Sequence, residues 1–123
     1  MRLPLAIALG GLFLAPSVAQ AADAPSYPIL GAGNLSCGAW KEHRSNHDEL
    51  EASMKSWVLG FITAENVWNV VLRHSAISAT TDADGLFGWI DNYCAAHPLE
   101  TVSAATLELS SELIKTPNGN LAR

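Results

Sequence analysis

The stretch DELEASMKSWVLGFITAENVWNVVLR, Asp48 to Arg73, decides the fold. Leu50, Met54, Trp57, Val58, Phe61 and Ile62 recur at helical steps and share one broad face. Val67, Trp68, Val70, Val71 and Leu72 then crowd together, so the pattern asks for a helix covered on more than one side. Asn46 or Asp48 can cap its start, and Asp48, Glu49 and Glu51 complement the positive end of the helix dipole. Gly60 is the soft point in the middle, where a small residue lets another helix approach. Lys55, Glu65 and Asn69 form a polar face.

The flanking segments are also helical. Upstream, LSCGAWKEHR (Leu35–Arg44) predicts a short helix with Cys37, Trp40 and Arg44 on one side, and Ser45-Asn46 reads as a break. Downstream, Ser75 to Thr81 is a polar connection of small side chains. Asp82 or Asp84 caps a helix bearing Leu86, Phe87, Ile90, Tyr93 and Cys94, with His97 at its C-terminal end and Pro98 stopping it. Leu99 to Lys115 forms a last helix, with Val102, Thr106, Leu109 and Leu113 in one stripe and Leu107 and Ile114 beside it. Residues 22–34 carry Pro25, Pro28, Gly31 and Gly33 and read as an extended N-terminal arm. Pro117 and Gly119 end the pattern, leaving 117–123 as a flexible tail. No run alternates as a strand does. The expected fold is all-α, a small bundle of about four helices over residues 35–116, tied by one disulfide.

The first residues set the compartment. A chain of 123 residues, 49% apolar, fits a single domain. Met1-Arg2, the apolar run LPLAIALGGLFLA (Leu3–Ala15) and Ala19-Gln20-Ala21 have the layout of a cleaved signal peptide over residues 1–21. About 12 apolar residues fall short of the roughly 20 that span a bilayer. The expected location is the periplasm or the outside of the cell, with no membrane association after cleavage. An oxidising compartment favours pairing of the only two cysteines, Cys37 and Cys94. The 12 acidic and 7 basic residues give a net charge of −5. Loss of Arg2 with the signal deepens it by one. There is no basic stripe for nucleic acid.

Trp57 and Trp89 are expected in the core, and Trp68 either continues the apolar face or stands exposed at a partner surface, two alternatives the sequence leaves open. Glu65 and Asn66 interrupt the apolar run and join Trp68 as candidate partner-binding residues. His43 and His47, with Glu42, Asp48 or Glu51, are the residues a small metal-dependent hydrolase would use for zinc. The sequence lacks HExxH, GxSxG and dinucleotide signatures, and Asp82 and Asp84 lack the rest of a calcium loop. The reading therefore assigns no catalytic residue, metal or cofactor.

Cys37 followed by Trp40, the central WVLGFITAENVW (Trp57–Trp68) and the closing WIDNYCAAHPLETV (Trp89–Val102) carry a family resemblance. Over roughly Leu35 to Lys115 the chain resembles small exported bacterial helical proteins, the HdeA/HdeB-like periplasmic acid-stress proteins and the Rap1a/Tai-type immunity proteins. Cys37, Trp40, Tyr93, Cys94 and Pro98 match the acid-stress pattern of a cysteine before an aromatic paired with one in a Tyr-Cys-x-x-x-Pro context. Gly60 and Phe61 match the glycine-containing central helix of the immunity type. The resemblance implies an exported, non-enzymatic protein-binding domain. An acid-stress holdase would bind unfolded clients, and an immunity protein would bind one secreted toxin. Self-association is a further option.

Overall fold

The computed structural model describes residues 27–78 and 80–116. The signal segment 1–21, the start of the arm and the tail 117–123 lie outside the described residues. Four α-helices follow one another: α1 (Cys37–Asn46), α2 (Glu49–Arg73), α3 (Ala83–Ala96) and α4 (Val102–Lys115). The all-α bundle and its disulfide are as the sequence predicts.

Each helix begins where a short polar side chain satisfies an otherwise free backbone N–H. Ser36 Oγ accepts from Ala39 N at 3.1 Å, and Asp48 Oδ1 accepts from both Leu50 N and Glu51 N at 3.1 Å. Asp82 accepts from Gly85 N at 2.9 Å and Thr101 from Ala104 N at 3.1 Å. Helix α1 runs through Ser45-Asn46 and stops one residue later, at His47 in the left-handed conformation (φ 53°). The end of α2 repeats this at His74 (φ 58°).

The core lies where the four helices meet. Trp40 of α1, Met54 and Val58 of α2, Ile90 of α3, and Val102, Ala105 and Leu109 of α4 have no exposed surface. The bridge between Cys37 and Cys94 is fully buried and joins α1 to α3, with Cα atoms 4.7 Å apart. Backbone hydrogen bonds reinforce the same junction. Cys37 N donates to Glu100 O at 2.7 Å, Gly38 N to Pro98 O at 3.0 Å and Val102 N to Leu35 O at 2.8 Å.

Three expectations need correction. The second half of α2 is not covered on several sides: Val67, Trp68, Val70, Val71 and Leu72 are 46–65% exposed. Its last turns are packed on one side only: Asn69 and Arg73 line a pocket with Leu113 and Ile114 of α4, and the exposed residues lie on the other faces of the helix. Asn69, placed on a polar face, is instead 5% exposed, because it continues the line of Glu51, Val58 and Ile62 into the bundle. Finally, the fully buried tryptophan is Trp40, whereas Trp57 and Trp89 are half-buried and pack against the core from its rim.

The arm also departs from an extended path. Gly31–Asn34 forms a short 3-10 turn lying against α2. Trp57 Nε1 donates to Leu30 O at 2.7 Å, and a Cβ on Gly33 would overlap the Trp57 ring. The turn can dock only because Gly33 has no side chain.

Candidate functional site

Two features stand out on the bundle, an apolar overhang and a charged clasp. The overhang is the end of α2. Five of its six residues from Val67 to Leu72 are exposed and apolar, and the sixth, Asn69, points inward. Exposed apolar groups gathered this way make this end of α2 a candidate interaction surface. No exposed residue of α2 between Ala52 and Leu72 carries a charge.

The three partner-binding candidates divide at this end of the helix. Trp68 is 62% exposed and lies on the overhang. Asn66 is tied into the loop that follows α2: its Oδ1 accepts from Ile77 N at 2.9 Å and Ser78 N at 3.2 Å, and its Nδ2 donates to Ser78 Oγ at 2.6 Å. That triple contact turns the chain back and seats Ile77 in the core. Glu65 is half-buried, and its backbone oxygen accepts from Asn69 Nδ2 at 2.9 Å. Thus Asn66 and Asn69 shape the end of α2 from within, while Trp68 faces outward.

The clasp joins α1, α2 and α3. Arg44 Nε and Nη2 donate to the two oxygens of Asp91 at 3.0 and 2.6 Å, and Nη1 donates to Glu51 Oε1 at 2.8 Å. Trp40 Nε1 donates to Asp91 Oδ1 at 2.7 Å, which gives the buried indole its acceptor. Lys55 Nζ stands 3.6 Å from Glu51 and 4.7 Å from the centre of the Phe87 ring. Forked guanidinium–carboxylate pairing of this kind fixes geometry as well as charge.

The clasp shifts the acidity of its members. Partial burial pushes the Asp91 carboxyl up, but hydrogen bonds from Arg44 and Trp40 outweigh it and hold the group below its ordinary 3.8. The Arg44 hydrogen bond likewise holds Glu51 below 4.5 against burial, with help from His47. The bond to Asp91 pushes the Arg44 guanidinium further up, with burial opposing. Only part of this cluster was legible in sequence. Trp40 and Arg44 share a face of α1 by spacing, but Asp91 reaches them from 47 residues further along the chain. No local pattern announces that partner.

His43 and His47 do not converge. His43 Nδ1 lies 2.7 Å from Asp48 Oδ2, whereas His47 Nδ1 lies 3.2 Å from Glu51 Oε2. Glu42 is exposed on α1. Among the described residues, no three His, Cys, Asp or Glu side chains are grouped to hold a metal ion. An open basin of about 330 Å³ beside the clasp is lined by Lys41, Arg44, Ser45, His47 and Asp91. No described helix is long and apolar enough to cross a membrane. No family model, curated protein or solved structure matches the chain.

Proposed function

We propose that this chain is an exported, non-enzymatic protein-binding domain that acts as an acid-stress holdase of the periplasm. The observation that carries the reading is the overhang of α2, where Val67, Trp68, Val70, Val71 and Leu72 are exposed together at the end of one helix. Trp68 is the natural anchor, because aromatic side chains supply much of the contact energy at interfaces. The clasp supports the acid response. Glu51 and Asp91 hold Arg44 while ionised, and their protonation frees the guanidinium that ties three helices together. An immunity protein against a secreted toxin would use the same overhang for one partner, with Trp68 again as anchor. Export rests on residues 1–21.

The test compares the wild-type domain with Trp68→Ala and Val71→Asp. Each is incubated with an unfolding client at neutral and acidic pH while light scattering is followed. Wild type should suppress aggregation in acid, and both variants should lose that effect without loss of helical content. Equal protection by all three proteins would remove the overhang from the mechanism. Tight capture of one envelope protein at neutral pH, with no protection of clients, would favour the immunity reading.

A further inference from the structure

We propose that the outer face of α2 pairs with a second copy of this chain, antiparallel about a two-fold axis passing between Glu65 and Asn66. The inference rests on the reading that the end of α2 is a binding surface, and it names an occupant.

Helix geometry puts Gly60, Ala64, Val67 and Val71 on the side of α2 opposite the buried residues Val58, Ile62 and Asn69. All four are exposed. Their spacing of four, three and four residues is the seam of a helix pair, in which side chains of one helix enter gaps on the other. A two-fold axis at that point sets Gly60 against Val71 of the second copy and Ala64 against Val67. Each small residue meets a branched one, and the relation holds in both directions, as an isologous interface requires. The space at Gly60 is open: a Cβ there would meet nothing within 4 Å in its own chain. Trp68 lies exposed on one flank of the seam and Thr63 on the other.

Charge favours this face for self-pairing. The chain carries a net charge of −5, so two copies repel over most orientations. From Ala52 to Leu72 the exposed residues of α2 are uncharged, and helix geometry sets the half-buried Glu65 on the bundle side, away from the seam. The area is adequate as well. Four apolar side chains of the overhang, Val67, Trp68, Val70 and Val71, lie on the seam or its flanks and present on the order of 400 Å² per copy. With Gly60, Thr63 and Ala64 the face reaches roughly 600 Å² per copy, the low end of specific interfaces.

Sedimentation of the disulfide-intact protein over a wide concentration range tests the pairing. Wild type should reach a dimer, and Val71→Asp should weaken it by at least about tenfold. Gly60→Leu should do the same, because its side chain fills the space meant for Val71 while its own bundle has room for it. The register has its own check. Ala64→Lys and Val67→Glu should each be monomeric alone and dimerise when mixed, since the axis sets position 64 against position 67. A wild-type monomer at every concentration overturns the proposal, as does a dimer indifferent to these substitutions or a mixture that stays monomeric. If wild type is monomeric yet Trp68→Ala abolishes client protection, self-pairing fails and the binding reading stands. If a dimer forms as described but nothing is protected or captured, the holdase reading fails and the pairing stands.

Discussion

Removing the disulfide should cost a large fraction of the stability of this domain. Cys37 and Cys94 are 57 residues apart in sequence. Holding the ends of a loop of that length together in the unfolded chain removes conformational entropy equivalent to about 4 kcal/mol at room temperature. Domains of this size are stable by only about 5–15 kcal/mol, so that loss leaves little margin. Both sulfurs are fully buried, and alanine is the replacement that adds no polar group. The measurement is equilibrium urea unfolding of the oxidised protein, the reduced protein and Cys37→Ala/Cys94→Ala, followed by tryptophan fluorescence and helical circular dichroism. The stability of both unbridged forms should fall by about 4 kcal/mol. With a typical urea dependence for a small domain, the midpoint should fall by about 2 M. The urea dependence itself should steepen, because an unbridged denatured chain exposes more surface. A loss below about 1 kcal/mol with an unchanged slope would refute the loop-entropy reasoning. It would assign the junction to the backbone bonds between Cys37, Gly38 and the turn at Pro98–Glu100.

Other perturbations probe the clasp and the docked turn. Asp91→Ala leaves the Trp40 indole N–H without its acceptor and should cost about 1–3 kcal/mol, whereas Asp91→Asn keeps an oxygen there and should cost less; urea unfolding distinguishes them. Asp48, Glu51 and Asp91 have folded-state pKa values below their ordinary 3.8 and 4.5, Asp48 through its hydrogen bond from His43. Their contribution to stability is therefore complete above the ordinary values and lost as pH falls through the lower, folded ones. A melting temperature that declines below about pH 4.5 in wild type should decline less steeply in Asp91→Asn, and identical pH profiles would count against the clasp. Gly33→Ala should destabilise by about 1–3 kcal/mol and expose Trp57 to water, read as a red shift in emission, because the added methyl overlaps the ring. Gly88→Ala, in open space within α3, should instead stabilise by up to about 1 kcal/mol, and a loss there would contradict the packing described.

The sequence by itself determined the helices, because their signals are local. Apolar spacing, the caps Asp48 and Asp82, and the stops near Asn46 and Pro98 all act over one or two turns, whereas the starts at Cys37 and Val102, capped by Ser36 and Thr101, fall two and three residues after the expected Leu35 and Leu99. Two cysteines admit a single intramolecular pairing, so the bridge was legible too. The exposure of Trp68 and the burial of Asn69 were decided by tertiary structure. Both lie near the end of one apolar-rich helix, and only the packing of α4 and the following loop against one side of it says which side is left uncovered. The same holds for Asp91, whose partners Arg44 and Trp40 come to it across the bundle. Periodicity specifies which residues share a face of a helix; what stands opposite that face depends on where the rest of the chain packs.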